Sequence, residues 1–143
     1  MNHYKRINNL FGWIAFAISA FVYLSTIEPT GSFWDCGEFI ASSYRLQVGH
    51  PPGAPLFLML GRVFSLMSGG DIRLVSVMIN VLSALMSAFT ILFLFWTITA
   101  IAKKIVVKSE EITSAQLIGI MGAGLVGSLA YTFSDSFWFS AVE

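Results

Sequence analysis

The chain has 143 residues, of which 56% are hydrophobic and only 11% charged, with a formal net charge of zero. Its mean hydropathy of +0.76 leaves too little charge to cover the surface of a soluble domain. The charge balance gives no footprint for nucleic acid. One cysteine, Cys36, excludes an internal disulfide framework and a cysteine metal cluster.

Lys5 and Arg6 precede the first uncharged run, Ile7 to Ile27. This run is long for the core of a signal peptide, and the small-residue site Ala15-Phe16-Ala17 lies inside it rather than after it. An uncleaved signal anchor is expected. Two further uncharged runs follow, Leu74 to Ala102 and Ile112 to Ser134. Each run exceeds the ~20 residues that cross a bilayer core. The expected fold is therefore all-α and polytopic, with spans at about 7–27, 74–102 and 112–134 and a loop over 28–73. Lys103, Lys104 and Lys108 lie between the second and third spans. The positive-inside rule puts them and the N-terminus in the cytoplasm, and the 28–73 loop outside.

That loop carries Phe33-Trp34-Asp35-Cys36-Gly37-Glu38-Phe39 just beyond the first span. Carboxylates are costly near hydrocarbon, which makes Asp35 and Glu38 functional candidates. On a helix, positions i and i+3 share a face. Two readings compete. Asp35 caps a helix N-terminus, or one carboxylate, its pKa raised by partial burial and its neighbour, serves as general base.

Ile40 to Val48 has the mixed pattern of a short amphipathic helix, and His50-Pro51-Pro52-Gly53-Ala54-Pro55 predicts a rigid turn. His50 is either a loop hydrogen-bonding group or a contact for phosphate or sugar. A metal role for it requires Asp35 or Glu38 as co-ligand; no metal site is assigned from the sequence, and a divalent cation stays open. Arg45 and Arg62 flank the turn and suit either phosphate recognition or snorkelling to headgroups. Leu56 to Met67 is apolar but too short to span, which predicts an interfacial or re-entrant helix stopped by Ser68-Gly69-Gly70-Asp71.

In the third span, Gly119, Ala123 and Gly127 recur every four residues, and Ser83, Ala84, Ser87 and Ala88 give the second a similar face. Small residues let helices approach closely. Phe33, Trp34, Trp138 and Phe139 read as aromatic belts, Cys36 as a packing residue and Asp135 as a helix-end residue. Glu143, on the same face as Asp35, is a further candidate for the site. The chain is expected to be the N-terminal piece of a larger polytopic domain.

Three stretches together carry a resemblance: Glu28-Pro29-Thr30 with Phe33 to Ile40, Leu46 to Phe57 with its His50-Pro51-Pro52-Gly53 core, and Gly122 to Glu143 with Tyr131 to Trp138. They resemble the N-terminal signature of a large bacterial membrane-protein family, common in Bacteroidetes. That family is related to eukaryotic protein O-mannosyltransferases and grouped with the GT-C glycosyltransferases. The resemblance implies a multi-pass enzyme of the bacterial inner membrane with more helices than these. It implies sugar transfer, with mannose the candidate sugar, from a polyprenyl-phosphate carrier to a hydroxyl acceptor such as protein Ser or Thr on the periplasmic side. The family's catalytic acid follows the first span, a position matched by Asp35 with Glu38 beside it; His50, Arg45, Arg62 and Glu143 would then contact substrate. This piece alone is expected to be inactive. The rival readings are a transporter or flippase-like protein, whose acids normally lie at the bilayer midplane, and a non-catalytic assembly module.

Overall fold

The computed structural model describes residues 2–32, 34–108 and 112–142. Among these all regular structure is helical, without a strand. Six α-helices occur in chain order: α1 Asn2–Ser25, α2 Cys36–Arg45, α3 Pro55–Leu66, α4 Val75–Val106, α5 Ser114–Thr132 and α6 Asp135–Val142. A short 3₁₀ turn, Ile72–Leu74, leads into α4. Three segments, His3–Ser25, Ile72–Val106 and Ser114–Thr132, are long and apolar enough to cross a membrane. The chain is a multi-pass membrane protein.

The span boundaries follow from end chemistry. The 24 residues of α1 reach about 36 Å at 1.5 Å per residue, enough to extend through Lys5 and Arg6. Lys103 and Lys104 occupy the last turn of α4, where cations oppose the partial negative charge of the helix end. A capping box starts α5: Thr113 Oγ1 accepts from the Gln116 amide at 3.3 Å, and Gln116 Oε1 accepts from the Thr113 amide at 3.0 Å. The aromatic segment after the third span forms α6, with Asp135 in its first turn.

The chain divides into two compact units. The first comprises residues 1–22 and 87–138. Trp13, Phe16 and Phe89 form an aromatic cluster with centroids 4.7–6.4 Å apart. Here the close-approach face of α5 differs from the expected Gly119–Ala123–Gly127 stripe. Nothing lies within 4 Å of a Cβ built at Gly119, and Ala123 is exposed. The tight contacts are at Gly124, against Phe95 and Thr99, and at Gly127, against Ile98.

The second unit comprises residues 23–86 and 139–143, and it turns the expected external loop into folded structure. Helix α2 begins at Cys36 rather than Ile40, because Asp35 takes the N-cap position and Glu38 falls in the first turn. It ends at Arg45 because Leu46 adopts a left-handed conformation (φ 53°), with the Gln47 amide donating to the Ser42 carbonyl at 2.9 Å. Pro55 opens α3 at a position where its missing donor costs nothing. Gly69 (φ 63°) and Gly70 (φ 92°) make the turn after it.

Helices α2 and α3 pack against each other at Ser43 and Gly61. A Cβ at Gly61 would lie 2.6 Å from Ser43 Oγ and 2.9 Å from its Cβ, while Phe39 and Phe57 meet edge to face at 5.6 Å. Gly61→Ala should therefore destabilise the protein by about 1–3 kcal/mol. Adding Ser43→Gly should recover most of that loss in a thermal melt in detergent. Full stability of Gly61→Ala alone would refute the contact. From α4, Asn80 Nδ2 donates to the Glu28 carbonyl at 2.9 Å and to the Thr30 carbonyl at 3.2 Å. Ser76 Oγ donates to the Pro29 carbonyl at 2.9 Å. These bonds fix the chain leading into Asp35.

Candidate functional site

Asp35, Glu38 and His50 converge. The first two are held by the N-terminus of α2, and His50 stands on the proline turn. The Gly53 amide donates to the His50 carbonyl at 2.8 Å and closes that turn, with Gly53 at φ 72° and the Pro51–Pro52 bond cis. Glu38 grips His50 twice: Oε1 accepts the His50 backbone amide at 2.7 Å, and Oε2 lies 2.9 Å from Nδ1. The other ring nitrogen, Nε2, faces Asp35 Oδ2 at 3.8 Å. One ligand atom from each of the three residues lies within 4.8 Å of the others. Gly49 permits the approach, since a Cβ there would sit 3.1 Å from Glu38 Oε1.

The capping role expected for Asp35 is met in position only. It occupies the N-cap, and its carbonyl accepts the Phe39 amide at 2.9 Å, but its carboxylate makes no capping bond. That carboxylate, 61% exposed, faces the imidazole instead.

A carboxylate pKa raised by burial is not found at Glu38. The backbone and side-chain hydrogen bonds from His50 lower it from its ordinary 4.5. The Glu38 hydrogen bond, then the charges of Glu38 and Asp35, raise His50 above its ordinary 6.5. The signs set a pH window. The His50 contribution is complete below its unfolded pKa and fades as pH rises through the higher folded one. The Glu38 contribution is complete above its unfolded pKa and fades as pH falls through the lower folded one. The clasp should be tightest between about pH 4.5 and 6.5. An NMR titration should show His50 above 6.5 in the native protein and lower in Glu38→Gln; an unshifted His50 would show that the clasp does not form.

Beside Asp35 opens a cavity of about 250 Å³. Phe39, Ile40, Phe57 and Ile79 give it apolar walls, and Asp35, Asn80 and Ser83 supply polar groups. Trp34 is at its rim, 92% exposed and with a positive φ of 63°. Cys36, a half-buried free thiol, also lines it.

The arginines do not join the three-residue cluster. Arg62 Nη1 donates to the Tyr44 carbonyl at 2.7 Å, and its guanidinium lies 5.5 Å from the Tyr44 ring centroid. Both contacts tie α3 to the last turn of α2. Exposed Arg45 lies 5.7 Å from the same centroid. Glu143 and Phe33 fall outside the described residues. Asn80, Gly49 and Tyr44 escaped the sequence reading. Asn80 carried a usable signal, as the only amide within the second uncharged run.

The chain matches the family "Protein O-mannosyl-transferase TMEM260 N-terminal domain" over residues 35–143. It is 25% identical over 130 residues to the protein O-mannosyl-transferase tmem260 of Dictyostelium discoideum, covering 91% of this chain and 14% of that protein. It is 29% identical over 124 residues to the protein O-mannosyl-transferase TMEM260 of Mus musculus, covering 86% of this chain and 15% of that protein. The chain thus spans about a seventh of these relatives. No solved structure matches it significantly.

Proposed function

We propose, from the premise that this chain belongs to the protein O-mannosyl-transferase TMEM260 N-terminal domain family, that it is the first part of a GT-C-type membrane glycosyltransferase. The protein moves a sugar, mannose by analogy with its relatives' names, from a polyprenyl-phosphate carrier to a protein hydroxyl on the non-cytoplasmic face of a bacterial inner membrane. The observation that carries this reading is the convergence of Asp35, Glu38 and His50 beside a cavity.

Asp35 is the general base. Its carboxylate takes the acceptor's proton as the hydroxyl oxygen bonds to the anomeric carbon. The bond from that carbon to the carrier phosphate breaks, and the electron pair leaves with the phosphate. Glu38 orients His50 through its two hydrogen bonds. His50, with its pKa raised by the carboxylates, offers a cation to the departing phosphate. Arg62 ties α3 to α2 through the Tyr44 carbonyl. Both carboxylates lie outside the three candidate spans, which favours chemistry at a membrane face over a carrier with midplane acids.

Orientation is the first test of this reading. In a Cys36→Ser background, a cysteine at Thr30 should react with an impermeant thiol reagent in intact cells. One at Lys108 should react only after permeabilisation. The reverse pattern would put Asp35 on the cytoplasmic face and end the reading.

A further inference from the structure

We propose that Asp35, Glu38 and His50 form a binding site for one divalent cation of the manganese or zinc class. His50 Nε2 and Asp35 are its direct ligands, and Glu38 supports the imidazole from behind.

The argument starts from hydrogen-bond inventory. An ionised carboxylate only accepts, so the 2.9 Å contact between Glu38 Oε2 and His50 Nδ1 requires a proton on Nδ1. In the neutral ring, Nε2 then carries the lone pair. Nε2 lies 3.8 Å from Asp35 Oδ2, another acceptor. A neutral ring nitrogen beside a carboxylate calls for a positive charge between them, which a second ring proton or a bound metal ion can supply. The gap is longer than the 2.7–2.9 Å typical of a charge-assisted N–H···O bond. It is close to the span of a cation with ligand distances of about 2.0–2.2 Å to each side. A histidine whose second ring nitrogen is held by a carboxylate is also the usual supporting arrangement around a protein-bound transition metal, because that bond fixes tautomer and ring direction.

The backbone fixes this arrangement as well. Glu38 Oε1 holds the His50 amide at 2.7 Å, so one side chain sets both the position of the turn and the tautomer of its ring. With 51% of the His50 side chain and 61% of the Asp35 side chain exposed, other coordination positions are open to water or to an oxygen of a phosphate group. Cations bound through few protein ligands commonly complete their shell with water and substrate phosphate. The nitrogen ligand favours zinc over magnesium and calcium, and the carboxylate oxygen admits manganese.

The role at a phosphate rests on the glycosyl-transfer reading; the binding itself does not. A cation at Nε2 replaces the imidazolium proton and presents more charge to a departing phosphate. A carboxylate that ligates through one oxygen keeps the second oxygen for the acceptor's proton, at a basicity lowered by the cation.

Mn²⁺ binding to the full-length protein, purified in detergent and stripped with chelator, tests the site by electron paramagnetic resonance. One Mn²⁺ per protein should bind, and pulsed spectra of the unmodified protein should show coupling to a single imidazole nitrogen. Asp35→Asn and His50→Ala should each weaken binding at least tenfold, and Glu38→Gln about 10–100-fold. Glu28→Gln should leave affinity unchanged. Bound Mn²⁺ without nitrogen coupling, or affinity indifferent to Asp35 and His50, would overturn the site. Mn²⁺ bound with the expected coupling in a protein that transfers no sugar would uphold the site and remove the transferase reading.

Discussion

Asp35→Asn should lower sugar transfer about 10²–10⁴-fold in the full-length protein, the usual cost of losing a general base. The substitution keeps size and shape and removes the acceptor of the proton. It should leave insertion and folding intact, because the Asp35 carboxylate makes no capping bond and its structural contribution at the N-cap is made by the backbone carbonyl. An exposed amide also carries no burial penalty. The assay is transfer from a polyprenyl-phosphate sugar to an acceptor in isolated membranes, with expression measured in parallel. Glu38→Gln should cost less. Its amide oxygen still accepts the His50 backbone N–H, and only the charged partner of Nδ1 is lost. A loss as large as that in Asp35→Asn would show that the two carboxylates act as one unit. Undiminished transfer by Asp35→Asn would remove the base. Transfer lost together with expression would return Asp35 to a structural role.

The parts of this fold legible in the sequence are those written in composition. Three uncharged runs announced three long helices, because a bilayer asks only for length and apolarity. Their ends were less legible, since Lys5, Arg6, Lys103 and Lys104 extend helices beyond the uncharged stretch. Helix α2 was displaced by four residues at its start because its N-terminus is set by the N-cap residue Asp35, which carries no apolar period. It stops at Leu46 through a left-handed backbone that an aliphatic side chain does not advertise.

The same division holds at the site. Asp35 and Glu38 stood out as acids beside a membrane span, and His50 as a histidine ahead of two prolines. Their convergence was not legible, because it depends on how the turn folds back onto α2. Arg62 shows the opposite case. Its charge and its place beside the turn suggested phosphate or headgroups, while its contact with the Tyr44 carbonyl depends on α2–α3 packing that the sequence does not display. The small-residue stripe holds at Gly127 but not at Gly119, for a related reason. Spacing alone identifies a possible face, and which face is used depends on the neighbouring helix.

That last point gives a second prediction with a large expected effect. Gly124→Ala should destabilise the protein, and Gly119→Ala should not. A Cβ at Gly124 would lie 2.6 Å from Thr99 Cγ2 and 2.7 Å from Phe95 Cε2. Both neighbours are fully buried in α4, so neither can swing aside, and the helices must separate locally. Overpacking of this kind typically costs about 1–3 kcal/mol. At Gly119 the same methyl meets nothing within 4 Å, and alanine is the better helix former by about 0.8–1.0 kcal/mol. The two substitutions are chemically identical and five positions apart on one helix, so lipid, detergent and hydrophobicity effects largely cancel in the comparison. Melting of both variants in the same detergent should move their midpoints in opposite directions. Equal shifts would mean that α5 does not pack on α4 through Gly124, and a loss confined to Gly119→Ala would restore the stripe read from spacing.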